Sequence, residues 1–187
     1  MQALQFQHAQ PMSQLIHQPT PKPTGHDVLV AVEAVAVNPV DLKVKSTIDA
    51  ELTGKILGWD AAGTIVEVGE KCHDFQAGDK VFYAGDVGRD GCFASHQLVD
   101  SRIIAKAPQS LEIHQSAALP LTSLTAWESL FDRLRINVEK DLGKTLLIIG
   151  AAGGVGSMAI QLAKQLTHLR VIATASRPET TEWCEIL

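Results

Sequence analysis

The stretch Leu146-Leu147-Ile148-Ile149 runs straight into Gly150-Ala151-Ala152-Gly153-Gly154-Val155-Gly156, and a helical pattern begins at once with Met158, Ala159, Leu162 and Ala163. An apolar strand that stops at clustered glycines lets the backbone approach a pyrophosphate. The N–H groups of the helix that follows then point at that anion. The chemistry suggested is dinucleotide binding, with Ala151, Gly153, Gly154, Val155 and Gly156 as the candidate cofactor-binding residues. Ala151 stands where such turns carry their first glycine, and a methyl group is tolerable there if φ stays negative. Gly153 is expected to permit close approach to the pyrophosphate, and Gly156 tight packing of helix on strand.

A residue that selects between nucleotides is expected about 20 positions after the glycines, at the end of the next strand. Counting through Val171-Ile172-Ala173-Thr174 leads to Ala175-Ser176-Arg177. An NAD enzyme favours Asp or Glu at the first of these, where a carboxylate accepts bonds from the ribose hydroxyls. A small neutral residue followed by Ser176 and Arg177 suits a 2′-phosphate, with Arg177 giving charge-assisted bonds. NADPH is therefore the expected cofactor. Ser176 could equally cap the next helix while Arg177 faces solvent, and the two roles can coexist.

The elements needed to position these residues are legible in outline. Val28 to Val37, Gly63 to Gly69, the turn Ala77-Gly78-Asp79 feeding Val81 and Phe82, and Phe93 to Val99 read as short strands separated by Gly, Pro and Asp. Many short strands with turns between them suggest a compact β barrel or sandwich. Near Ser110, a plausible helix cap, the pattern changes to helical spacing at Leu111, Ile113, Ala117 and Leu119; Pro120 interrupts it, and Leu121, Leu124, Trp127, Leu130, Phe131 and Leu134 continue it. Strand 145–149, helix 154–166, strand 169–174 and a helix from about Glu179 then give β-α-β-α, the opening of a parallel sheet. That order reaches Leu187 without a helix stop signal, so the nucleotide domain is expected to be truncated.

Bulk properties exclude several classes. A net charge of −5 with scattered Lys and Arg gives no footprint for nucleic acid or an anionic membrane. The N-terminus has neither a basic region nor an apolar core, so no secretory signal is expected. Thr145 to Ala163 lacks charge and is about long enough to cross a bilayer, but its glycines and its switch from strand to helix favour a buried α/β unit. Cys72, Cys92 and Cys184 form no CxxC and read as buried small hydrophobes of a reduced, cytoplasmic protein. The seven histidines show no ligand spacing.

Taken together, Val37-Asn38-Pro39-Val40-Asp41, Leu57-Gly58-Trp59-Asp60-Ala61-Ala62-Gly63, Gly78-Asp79-Lys80-Val81, Leu119-Pro120-Leu121-Thr122-Ser123-Leu124-Thr125-Ala126 and Gly150 to Gly156 resemble, in order and spacing, the medium-chain dehydrogenase/reductase superfamily. Within it the chain resembles the quinone-oxidoreductase branch and the subgroup called zinc-type alcohol dehydrogenase-like proteins. The fold implied is α/β: a GroES-like β-barrel catalytic domain over residues 1–120, then the truncated start of a Rossmann domain, a doubly wound parallel sheet, over 121–187.

The resemblance implies catalytic roles for Asn38, bordering the cleft and donating to a substrate carbonyl or touching the nicotinamide side, and for Thr125, facing the nicotinamide. Asn38 is also readable as a turn residue before Pro39, and Thr125 as an ordinary helix-interior threonine. Asp41, Trp59 and Leu121 would border the pocket, with Asp41 capping the helix from Pro39 and Trp59 equally readable as a core aromatic. Residues 43–56 would shape one wall. Tyr83 is the only tyrosine, hence the only phenol available as proton donor.

In zinc-using relatives a Cys stands at the position of Asn38, a His-Glu pair at Trp59-Asp60, and a third ligand near Leu121. Asn, Trp and Leu cannot form the cage, so no metal is expected. Without a Lewis acid, reduction of quinones or α,β-unsaturated carbonyls is easier than oxidation of simple alcohols. The expected activity is NADPH-dependent reduction of a quinone or enone by a full-length homodimer, with no nucleic-acid or membrane partner. The 187 residues alone are expected to be inactive and to bind NADPH weakly. The alternatives are a zinc-dependent alcohol dehydrogenase and a non-catalytic nucleotide-binding or interaction protein.

Overall fold

A computed structural model describes residues 1–8, 12–47 and 54–187; much of the expected pocket wall at 43–56 therefore lies outside the described residues. The chain divides into two compact units, Met1–Leu121 and Thr122–Leu187.

The first unit is built on β3 (Asp27–Ala36), which pairs antiparallel with β5 (Asp60–Val68) on one side and β7 (His96–Asp100) on the other. Flanking strands β6 (Lys80–Ala84) and β8 (Ile104–Lys106) complete a five-stranded sheet in the order β7-β3-β5-β6-β8. Val28, Leu29 and Val30 are buried in succession, as the centre of a sheet covered on both faces requires. With Ala61, Ile65, Val81, Tyr83, Cys92 and Val99 they form the core. The expected strands are these, displaced by a few residues.

A second, three-stranded sheet was not evident from the sequence. It places β1 (Gln2–Phe6) between β2 (Gln14–His17) and β4 (Lys55–Ile56). Leu4 N–H donates to Phe93 O and Ser95 N–H to Gln2 O, which ties this sheet to the segment leading into β7. Helix α1 (Pro39–Ser46) follows β3, with Pro39 in its first turn, where a missing N–H costs nothing.

Ser110 does not cap a helix. Helix α2 (Ile113–Ala117) starts behind Glu112, whose N–H is taken by Gln115 Oε1 at 3.0 Å. The reciprocal partner three residues on decides the start, and Ser110 has none there. Pro120 opens α3 (Pro120–Trp127) rather than merely breaking a longer helix, and the helix runs on as a π-helical stretch, Glu128–Arg133.

In the second unit β9 (Thr145–Ile148) and β10 (Arg170–Ala173) pair in parallel around α4 (Gly154–Leu166), and α5 (Pro178–Ile186) follows. Ala126, Leu130 and Ala159 centre its core, with Phe131, Ile136, Leu146, Ile148, Met158 and Leu162 packed around them. The uncharged run from 145 to 163 is thus a strand, a turn and a helix. Among the described residues, no helix is long and apolar enough to cross a membrane.

Candidate functional site

In the second unit the glycine turn is fixed from the end of β10. Thr174 donates its N–H to Ile148 O at 3.0 Å; its own carbonyl accepts from Ala151 N–H at 3.0 Å, and its Oγ1 from Gly150 N–H at 3.0 Å. Gly150 has φ +68°, a left-handed conformation that favours glycine. Ala151 keeps a negative φ, since Arg135 is the only non-glycine with positive φ among the described residues. Its methyl group is fully buried.

Gly153 is the residue before α4, with φ −73° and ψ 169°. A Cβ built on it would meet only Gly150 O, at 3.4 Å, so the space over this backbone is open. A Cβ on Gly156 would instead strike the Ala151 backbone at 2.5 to 2.7 Å. The first-turn N–H groups of Gly154, Val155 and Gly156 have no partner within the helix and are available to an anion.

A depression of about 490 Å³ lies at the carboxyl ends of the two strands and is lined by Gly150, Gly153, Thr174, Ser176, Arg177 and Thr180, among others. Gly154, Val155 and Gly156 border a neighbouring one of about 480 Å³. The structure therefore brings the glycine turn and the Ser176-Arg177 pair to one place, where open α/β sheets bind ligands. Ser176 does not cap α5. Arg177 holds the cap position, and its carbonyl accepts from the N–H groups of Thr180 at 3.1 Å and Thr181 at 3.0 Å. Its exposed guanidinium makes no ion pair among the described residues.

In the first unit a polar cluster lies beneath the start of α1. Asn38 donates its N–H to Asp41 Oδ2 at 2.6 Å, which pins the first helical turn. Its Nδ2 donates to Asp60 Oδ2 at 2.8 Å and lies 3.4 Å from Ala36 O. Asp60 Oδ1 accepts from Leu121 N–H at 2.8 Å. Burial pushes the Asp60 carboxyl from its ordinary 3.8 up to about 6; the Asn38 and Leu121 bonds oppose the rise, and the charge of Asp41 adds to it. Burial likewise raises Asp41 against its backbone bonds from Asn38 and Gly58, and Asp41 Oδ1 is buried without a partner among the described residues.

The geometry decides between the alternatives left open for Asn38 and Trp59 and overturns the role expected of Tyr83. The Asn38 amide donors are turned into the protein, so Asn38 is not poised to donate to a substrate carbonyl; it is a turn residue bonded on both its main chain and side chain. Tyr83 is 2 % exposed and donates its phenolic proton to Gln97 Oε1 at 2.9 Å, and burial raises its pKa. A strand position facing the core cannot present that proton to a ligand. Trp59, 1 % exposed, does not line an open pocket: it packs in the core and donates its indole N–H to Asp86 O at 3.0 Å. Leu121 is half-buried with its N–H on Asp60, and Thr125 is exposed on α3, its carbonyl accepting from Ser129 Oγ at 2.7 Å.

Asp60 itself was absent from the expected site residues. The signal was present, since a carboxylate between Trp59 and the run Ala61-Ala62-Gly63 must be buried, and a buried charge needs donors. Thr174, which holds the glycine turn, was missed because its partners lie across the sheet.

Comparison with known proteins gives this geometry its context. Residues 24–109 match the alcohol dehydrogenase GroES-like domain. A zinc-type alcohol dehydrogenase-like protein of Staphylococcus aureus is 47 % identical over 167 residues, which cover 88 % of this chain and 49 % of the relative. The solved structure of an alcohol dehydrogenase superfamily protein from Novosphingobium aromaticivorans superposes with a TM-score of 0.88 at 36 % identity, over 100 % of this chain and 56 % of that one. The chain belongs to the medium-chain dehydrogenase/reductase superfamily. It spans about half the length of the curated relatives it matches. A further member, the 2-methylene-furan-3-one reductase of Solanum lycopersicum, is 36 % identical over 165 residues, 80 % of this chain and 39 % of the relative.

The word zinc in the relative's name calls for a test of this member's donor set. At the positions where the resemblance places zinc ligands it offers an amide that donates to Asp60, a core indole and the aliphatic Leu121. Cys92 lies nearby, its Sγ 3.4 Å from Asp60 O, but burial and the charges of Asp41 and Asp60 raise its thiol well above the ordinary range, away from the thiolate a metal binds. Among the described residues no three His, Cys, Asp or Glu side chains converge. These residues do not fit a catalytic zinc.

Proposed function

We propose that these residues belong to a zinc-independent, NADPH-dependent reductase of quinones or α,β-unsaturated carbonyls. The observation that carries the reading is the depression in which Gly150 and Gly153 meet Ser176 and Arg177. Gly153 offers open space over its backbone, and the first N–H groups of α4 are available to a pyrophosphate. Arg177, unpaired among the described residues, suits a 2′-phosphate through charge-assisted bonds, and Ser176 adds a hydroxyl. No Asp or Glu stands at Ala175 to receive the ribose hydroxyls of NADH.

When bound, the nicotinamide supplies a hydride to an electron-poor carbon. The substrate class follows from what the first unit lacks the ligands to do. A saturated carbonyl needs a Lewis acid to take a hydride readily, and Asn38, Trp59 and Leu121 cannot hold one. A conjugated carbonyl spreads the developing charge over its own oxygen, and a quinone is a carbonyl conjugated on both sides. Solvent suffices as proton source, in keeping with the inward Asn38 amide and the buried Tyr83 phenol. The relative from Solanum lycopersicum is named for a substrate of this conjugated kind. The family resemblance also points to a homodimer, which light scattering on the complete polypeptide would test.

The deciding experiment follows NADPH oxidation by the complete polypeptide containing these residues, with quinones, enones and saturated aldehydes as acceptors and a metal chelator present. Turnover confined to conjugated acceptors and indifferent to the chelator is expected. Zinc-dependent turnover of aldehydes would overturn the reading, and nucleotide binding without any turnover would favour a non-catalytic protein.

A further inference from the structure

We propose that Asp60 is a positioning residue whose single carboxylate fixes the start of α1 and the Leu121 main chain to the beginning of β5, all within the first unit. The inference stands apart from the proposed activity, since it concerns contacts within the first unit alone. Asp60 is 1 % exposed, and each of its oxygens takes one donor: Oδ2 the Asn38 side-chain amide and Oδ1 the Leu121 main-chain N–H, both at 2.8 Å. These donors are 22 residues upstream and 61 residues downstream of it. Asn38 is the capping residue of α1, and Leu121 lies in the first turn of α3, where a main-chain N–H has no partner within its helix. A carboxylate at such an N-terminus is favoured by the helix dipole as well as by the bond.

The chemistry of the two partners explains why this position holds a carboxylate. Both are donors, so the residue between them must accept twice. With Asn38 oriented as here, an amide would offer its oxygen to one donor and its own NH₂ to the other; an apolar residue would strand both groups. Asp41 completes the arrangement by taking the Asn38 N–H on Oδ2, so that Asn38 is held by its main chain and its side chain at once. The Asp41 charge makes it harder to keep Asp60 ionised. Desolvating the carboxylate offsets much of what its two bonds add. Retaining Asp60 is therefore better explained by what it aligns than by the stability it adds.

The test is amide hydrogen exchange by NMR on the isotopically labelled 187-residue chain. In the unaltered protein the Leu121 N–H and the Asn38 side-chain NH₂ are expected to be protected; free exchange of either overturns the proposal whatever the variants do. In Asp60→Asn both are expected to exchange about 10- to 100-fold faster relative to the Val30 amide of the same variant, the range a bond to a charged group represents. The double variant Asn38→Asp with Asp60→Asn restores an acceptor–donor–acceptor order and is expected to return Leu121 to within about threefold of its original protection. Val81→Ala, a cavity in the same core, accelerates all three amides alike. Equal acceleration everywhere in Asp60→Asn, or no recovery in the double variant, would reduce Asp60 to an ordinary buried residue.

Discussion

A Cβ placed on Gly156 would lie 2.5 Å from the carbonyl oxygen of Ala151 and 2.6 Å from its Cα, closer than real Cβ atoms approach any backbone. Neither side can give way, because Ala151 is bonded through its N–H to Thr174 O and Gly156 sits in the first turn of α4. Alanine in a helix interior normally gains about 1 kcal/mol over glycine. Here overpacking against fixed backbone costs about 1–3 kcal/mol and wins. Gly156→Ala should therefore lower the midpoint of chemical denaturation.

Gly153→Ala is the informative counterpart. Its φ of −73° suits any residue, and the added methyl would touch only Gly150 O at 3.4 Å. Stability should fall by no more than about 1 kcal/mol, the cost of replacing a glycine cap by alanine with no overpacking added. Dinucleotide affinity should fall all the same, because that methyl would fill the space left for the pyrophosphate. A titration of each variant with NADPH, set beside its denaturation curve, separates the two glycines.

Arg177→Gln should weaken NADPH about 10- to 100-fold while leaving NADH within about threefold, the range expected for charge-assisted bonds to one phosphate. The guanidinium caps nothing and makes no ion pair among the described residues, so folding should be unaffected. Chemical-shift titration measures both nucleotides even where binding is weak. Equal losses for the two would place Arg177 on a shared phosphate instead.

What the sequence discloses and what it hides divide along physical lines. The glycine turn and α4 are legible because their signals are local: apolar periodicity, a break, then a 3.6-residue repeat. Expectation and structure agree there on 154–166. The β1–β2 pair left no trace because Gln2–Phe6 and Gln14–His17 alternate weakly, and their place depends on Phe93 and Ser95 far along the chain. Tyr83 misleads and Trp59 stays ambiguous for another reason. A polar aromatic reads the same whether its hydrogen bond goes to a ligand or, as here, to Gln97 or the Asp86 carbonyl. Asp60 is visible as an anomaly, but its partner Leu121 is not, since nothing local links them.

Trp59 has a different task from the one its position suggests. The segment between β6 and β7 is held by three side chains, each donating to a main-chain carbonyl: Trp59 Nε1 to Asp86 at 3.0 Å, Lys55 Nζ to Val87 at 2.7 Å and Gln97 Nε2 to Asp90 at 3.0 Å. Trp59→Phe keeps much of the bulk and removes one donor. It should cost about 1–3 kcal/mol in stability, as expected for a cavity and one lost bond, and speed amide exchange within 86–90. In the reductase proposed above it should leave KM nearly unchanged. A large KM effect with normal stability would return Trp59 to the substrate pocket.

The Asp60 carboxyl gives the fold a pH dependence of opposite sign to the usual one. Its folded pKa of about 6 stands above the ordinary 3.8, so the folded chain holds a proton that the unfolded chain releases between those values. The associated stability is fully present below about pH 4 and is lost as pH rises through about 6, on the order of 3 kcal/mol for a shift of this size. Asp41, also raised by burial, acts in the same direction. Asp100 and Asp141, held low by Arg102 and by the Asn137 N–H with Lys144, add stability only as pH climbs towards 3.8, and both are solvent-exposed enough that their share is small. Denaturation midpoints should therefore decline from about pH 4 to 6.5, and Asp60→Asn, which cannot titrate, should flatten most of that decline even if the variant is less stable at every pH. A slope unchanged by the substitution would mean that Asp60 titrates as an ordinary surface carboxylate does, despite its burial.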